Sequence, residues 1–147
     1  MRYLGVDPGK KRVGLAISDP GATFASPLVV LQRRSTEQII AEIAALCRAE
    51  EVEGLVVGLA LNMDGSHGPM AQEAARLGEA LAAATGLPVE LWDERLSSEN
   101  AERHLIEVDM SRAKRKKTID KVAAQIILQS FLDTKARERG RPPDGRL

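Results

Sequence analysis

Aromatic residues are scarce: two phenylalanines, one tyrosine, Tyr3, and one tryptophan, Trp92, make up 3% of the 147 residues. Little is therefore offered for stacking on nucleobases. Cys47 is the only cysteine, which excludes an internal disulfide and any zinc site built on several thiolates, and fits a reducing compartment. The two histidines, His67 and His104, lack ligand spacing and read as surface or loop residues. No apolar run approaches the roughly 20 residues of a membrane span, and no basic, apolar and small-residue succession opens the sequence. A cytoplasmic protein with no membrane partner is expected. Charge of one sign is also missing, since Lys plus Arg and Asp plus Glu both number 21. Net charge thus argues neither for nor against a nucleic-acid partner, and distribution has to decide.

Hydrophobic residues make up 44% and charged residues 29% of the chain, as in a soluble globular domain. A chain of this length buries about two-thirds of its unfolded surface, so one core is expected. Tyr3 to Val6 is a short apolar run ending at Asp7-Pro8-Gly9, and Val13, Leu15 and Ile17 alternate with small residues; two strands joined by a turn follow. Pro27 to Leu31 reads as a third strand. Ser35 can cap a helix with Ile39, Ile43, Leu46 and Cys47 on one face. Gly54 to Leu59 is apolar throughout, as in a buried strand, and a helix from about Pro69 stops at Gly86. Val89 to Trp92 is a fifth strand, after which Ser97 or Ser98 opens a helix with Glu99 and Glu102 in its first turn. The basic run Arg112 to Lys117 precedes a last helix, Thr118 to Thr134, that is apolar nearly all round and should be buried. Residues 135–147 are polar with Gly140, Pro142, Pro143 and Gly145 and read as a disordered tail, leaving 1–134 as the domain. The order predicts an α/β protein: a mixed five-stranded sheet, its first three strands antiparallel, covered by helices on both faces.

Acids stand at three places where chemistry is done. Asp7 ends the first strand, at the carboxyl edge where α/β sheets hold ligands; an Asx-turn is the plainer alternative. Asp93 and Glu94 end the fifth strand in the same way. Asp120 lies in the first turn of the last helix, and its i+3, i+4 and i+7 neighbours are Ala123, Ala124 and Ile127, an apolar face. A carboxylate there needs a partner, either a divalent cation or Lys121 and the helix dipole. Hard ions such as Mg²⁺ take oxygen ligands, and phosphodiester hydrolysis benefits when two of them flank the scissile phosphate. Arg112, Lys114, Arg115, Lys116 and Lys117 put five cations just ahead of Asp120. They are suited to a phosphate backbone, or form a solvated loop. Lys10, Arg12 and Arg95 stand beside the strand-end acids and join the candidate nucleic-acid contacts.

Four blocks in this order resemble the YqgF/RuvX family. They are Gly5 to Gly9 with Arg12 to Asp19, then Val57 to Ser66, then Asp93 to Leu96, and Ser111 to Lys117 with Ile119-Asp120-Lys121. The match spans roughly residues 2 to 134. The family is described both as Holliday junction resolvases and as pre-16S ribosomal RNA nucleases. The resemblance implies a ribonuclease H-like fold, Mg²⁺ or Mn²⁺ chemistry, and Asp7 and Asp120 as catalytic, metal-binding acids. Glu94 is implied as the third, with Asp93 beside it. Related resolvases carry an acid on the strand that ends here at Leu59, where this chain has Gly58 and, in the following loop, Asp64. Ala60 replaces the family's usual Pro, and Ser97-Ser98 its Thr-Thr.

The expected activity is metal-dependent endonucleolytic hydrolysis, processing the 5′ end of pre-16S ribosomal RNA, with resolution of branched DNA as the alternative. A non-catalytic RNA-binding module of the same fold is the reading from another class. An actin-like ATPase also opens with a strand-turn-strand holding an acid, but needs a second such domain, for which this chain is too short. Monomer and homodimer are both left open.

Overall fold

In the structure, a computed structural model, residues 1–96 and 112–140 are described, with 112–121 followed along the backbone only. Five strands form one sheet: β1 (Tyr3–Asp7), β2 (Arg12–Ser18), β3 (Ala25–Gln32), β4 (Gly54–Leu59) and β5 (Val89–Asp93), in the spatial order β3-β2-β1-β4-β5. β1, β2 and β3 pair antiparallel in succession, whereas β4 pairs parallel with β1 and β5 parallel with β4. The mixed sheet expected from the alternation of patterns is therefore observed. Its carboxyl edge gathers the ends of β1, β3, β4 and β5, because β3 is related to β1 by two successive antiparallel pairings.

Among the described residues three α-helices cover the sheet: α1 (Thr36–Ala49), α2 (Pro69–Thr85) and α3 (Arg112–Glu138). α1 starts where a capping box can form, with the Gln38 N–H donating to Ser35 Oγ at 3.0 Å and the Ser35 N–H to Gln38 Oε1 at 3.3 Å. α2 ends at Gly86, whose φ of 72° is the left-handed conformation that glycine adopts without strain. α1 and α2 lie on one face, over Leu4, Val6, Leu15, Leu55 and Val57, with Cys47 buried among them. Burial pushes the Cys47 thiol up to about 11, consistent with a packing role.

α3 covers the other face. Its buried stripe is Ala123, Ala124, Ile127, Leu128, Phe131 and Leu132, so burial is confined to one side; Val122 and Ile126 are only half-buried. The polar residues between serve the sheet's open edge. The Ala25 N–H donates to Gln129 Oε1 at 2.8 Å, and Gln125 and Gln129 amides donate to the carbonyls of Ala25 and Thr23. Three of the chain's four aromatics meet here: the Phe131 ring lies edge-on to Tyr3 at 5.0 Å and to Trp92 at 5.5 Å. Such pairs contribute about 0.5–1.5 kcal/mol each beyond the area they bury.

α3 differs from expectation at both ends. It begins at Arg112, so the basic run is helical backbone rather than a loop ahead of the helix, and it continues past Thr134 to Glu138. Lys135 explains the extension: its Nζ lies 3.8 Å from Glu90 and 5.6 Å from the Phe131 ring centre, holding another turn onto the sheet. The helix expected after Ser97 or Ser98, and the last residues of the tail, lie outside the described residues. Among the described residues no helix is long and apolar enough to cross a membrane.

Candidate active site at the carboxyl edge

Strand parity decides which acids face α3. Leu4 and Val6 point into the core beneath α1 and α2, so Tyr3, Gly5 and Asp7 point to the α3 side. Val56 packs with α3, which puts Gly58 on that side too. Trp92 does the same in β5. Asp7, the last residue of β1, and Gly58, the last but one of β4, lie one step beyond the Val6–Val57 register pair, and so stand roughly 5 Å apart across the sheet.

Glu94 turns out of β5 onto this spot. A β-carbon built on Gly58 would lie 3.2 Å from Glu94 Cγ and 3.3 Å from its carboxyl carbon, so the glycine leaves the room that the Glu94 side chain occupies. Asp7 and Glu94 are both half-buried. The edge thus receives one carboxylate from β1 and a second from the end of β5.

The register of α3 brings the third acid to the same edge along the backbone. Phe131 meets Tyr3, while Leu128 Cβ and the Ala124 carbonyl oxygen approach Gly5 to 2.8 and 3.2 Å of where its β-carbon would be. The helix therefore runs antiparallel to β1, and each helical turn of about 5.4 Å advances it by nearly two strand residues. One turn before Ala124, at Asp120, the helix backbone is level with Asp7. Position 120 also heads the buried stripe through Ala123, Ala124 and Ile127.

Asp93 is placed differently. It shares the parity of Val89, on the α1 and α2 side, and its carboxylate is taken by Arg95: Arg95 Nη2 is 2.8 Å from Oδ2, and Nε is 3.0 Å from both oxygens. Hydrogen bonding from Arg95 holds the Asp93 carboxyl below the usual carboxylate range. The same guanidinium donates through Nη1 to the carbonyls of Asn62 and Met63. Arg95, expected to contact phosphate, is engaged as a clasp between the end of β5 and the loop after β4. Asp64 is occupied within that loop, accepting from the Ser66 hydroxyl at 2.6 Å and the Ser66 N–H at 2.9 Å; these bonds lower its carboxyl.

Of the remaining cations, Lys10 is exposed and Arg12, the first residue of β2, is half-buried. Arg112, Lys114, Arg115, Lys116 and Lys117 follow one another along the first two turns of α3. Lys11, Arg33 and Arg34 belong to the same edge and escape a reading of the sequence, because Arg33 and Arg34 are separated from Asp7 by two strands. The signal was present in the topology: a third strand antiparallel to the second must end beside the first.

Among the described side chains no three potential metal ligands form a group; Asp7 and Glu94 supply two, and the Asp120 side chain is outside that set. The donor chemistry is all carboxylate oxygen, which suits a hard divalent ion and not a soft one. Gly58 gives the second carboxylate its access. The residues present therefore fit such an ion.

Comparison with known proteins agrees with this geometry. A sequence model of the RuvX family, described as Holliday junction resolvase, matches residues 1–134. A protein of Symbiobacterium thermophilum, provisionally named a pre-16S rRNA nuclease, is 48% identical over 98% of both chains. One of Caldanaerobacter subterraneus subsp. tengcongensis with the same provisional name is 49% identical over 91% of this chain and 97% of its own. The Thermus thermophilus RuvC structure superposes with a TM-score of 0.59 at 16% identity, covering 95% of this chain and 97% of that one, which shows a shared ribonuclease H-like fold. With its family pattern matched from the first strand into the last helix, the chain belongs to the RuvX family.

Proposed function

We propose that this chain is a divalent-metal-dependent endonuclease that hydrolyses phosphodiester bonds near the 5′ end of pre-16S ribosomal RNA. The observation that carries the reading is Glu94 lying over Gly58 beside Asp7, at the sheet edge that the α3 backbone reaches at Asp120. Asp7, Glu94 and Asp120 would hold Mg²⁺ or Mn²⁺, with Asp93 kept from that role by Arg95. The bound ion would activate water and stabilise the departing oxygen. The protein's own part is to fix carboxylates from three separate elements at one edge, so that little reorganisation is needed when the phosphate arrives. The RNA substrate follows the provisional names of relatives that match this chain over nearly its whole length.

Branched DNA is the second reading, favoured by the family's description as a Holliday junction resolvase. Incubation of the purified protein with a pre-16S transcript and with a four-way junction, each with Mg²⁺, Mn²⁺ or chelator, separates the two. Metal-dependent cleavage of the transcript is expected. Cleavage of the junction alone would reassign the substrate, and binding without cleavage under every condition would leave a non-catalytic RNA-binding module.

A further inference from the structure

We propose that the turn after Asp7 and the connection from β3 to α1 form a phosphate-binding ledge, with Lys11 and Arg34 as its exposed cations. This rests on the reading of the chain as a nuclease and adds a substrate contact on the β3 side of Asp7. Residues 8–12 and 32–36 contain Lys10, Lys11, Arg12, Arg33 and Arg34, five cations flanked by two acids, Asp7 and Glu37. In a chain whose formal net charge is zero, that is a local concentration of positive charge.

The two segments are one structural unit. The Arg12–Gln32 pair closes the β2–β3 register, and the Arg33 N–H donates to the Lys11 carbonyl at 2.9 Å. Arg33 itself faces inward as a brace, its Nη1 donating to the Gly9 carbonyl at 2.9 Å and its Nη2 to Thr36 Oγ1 at 3.2 Å. The Arg34 N–H is fixed by Gln38 Oε1 at 2.8 Å. Lys10 borders a crevice it shares with Glu73, so it is not assigned to the ledge. Lys11 and Arg34 are exposed and make no ion pair among the described residues. A backbone held this way presents its cations with less ordering left to be done on binding.

The ledge also has a direction. Strands lie about 4.8 Å apart, so the β3 end is roughly 10 Å from β1, opposite in sense to Glu94 on the β5 side. A nucleic-acid strand lying along the carboxyl edge would meet Glu94, then Asp7, then the ledge. Lys11 and Arg34 would each contact a phosphate beyond the one that is cut.

The test measures binding of the pre-16S transcript and of the four-way junction across a salt series with chelator present, followed by cleavage kinetics with Mn²⁺. The Lys11→Gln/Arg34→Gln double variant is compared with wild type and with Arg48→Gln, an exposed charge at the opposite end of α1. Single-stranded contacts contribute a slope of about 0.7 per phosphate in log K against log salt, so losing two lowers it by about 1.4. The double variant should show that flattening, about tenfold weaker binding at low salt, and a raised KM with kcat unchanged. A slope and affinity equal to those of Arg48→Gln would overturn the ledge. Failure of wild type to bind or cut either substrate would instead overturn the nuclease reading beneath it.

Discussion

The Glu94 side chain occupies the space that a side chain at Gly58 would need: a β-carbon there would stand 3.2 Å from Glu94 Cγ and 2.8 Å from Ile127 Cδ1. At this point of the edge the acidic side chain comes from the end of β5 and not from β4 itself. Gly58→Ala should therefore do more than crowd the core. Overpacking alone costs about 1–3 kcal/mol, which in a chain of this size lowers Tm by several degrees. If Glu94 is displaced as well, Mn²⁺ affinity should fall about tenfold, read by calorimetry on protein that is still folded. Weaker stability with unchanged metal affinity would show that Glu94 is not a ligand.

Gly5 makes a second close approach of a different kind. Leu128 Cβ at 2.8 Å and the Ala124 carbonyl at 3.2 Å from its missing β-carbon belong to the helix itself, so α3 must shift as a body to admit alanine. Gly5→Ala should destabilise the chain by about 1–3 kcal/mol or more. Because α3 carries Asp120, cleavage should fall further than the unfolded fraction explains. Denaturant melts and initial rates on the same samples check this, and a rate loss matching the loss of folded protein would mean that the helix does not align the site.

The Asp93–Arg95 clasp predicts a pH effect. Arg95 holds the Asp93 carboxyl below its ordinary range, so the pair's stabilisation is complete at neutral pH, above the unfolded pKa of about 3.9. It is lost as pH falls through the lower folded value. The pair is largely exposed, so solvent screening keeps its contribution small. Arg95→Gln should be less stable than wild type at pH 7, and the difference should shrink towards pH 2–3. Amide exchange in residues 62–66 should quicken at neutral pH, since the carbonyls of Asn62 and Met63 lose their donor. A difference that stayed constant with pH would sink the assignment.

The fold was largely legible in the sequence, and the site partly. Alternation in Val13 to Ile17 and the apolar run Gly54 to Leu59 both mark strands, and both are covered on two faces: the alternation is of large residues under α1 and α2 with small ones, Gly14 and Ala16, on the α3 side. Ser35 and Gly86 mark helix ends because their chemistry is local. Asp7 stood out as a strand-end acid for the same reason. Three features were hidden. The capture of Asp93 by Arg95 depends on rotamers two residues apart, which spacing does not fix. The start of α3 at Arg112 was masked by a run of cations, which propensity permits in a helix but charge suggests as a loop. Arg33 and Arg34 join the site only through the pairing of β3 with β2, a contact across twenty residues of sequence.

The claim that carboxylates at the sheet edge hold a catalytic metal is tested most directly by titrating Mn²⁺ calorimetrically into wild type and Asp7→Asn. The amide keeps the shape of Asp7 and removes the charge that would hold a divalent ion. Wild type should bind Mn²⁺ with heat that Asp7→Asn loses, while both retain the fold and bind the pre-16S transcript alike in chelator. Equal Mn²⁺ affinity in the two proteins would contradict a metal site built on Asp7.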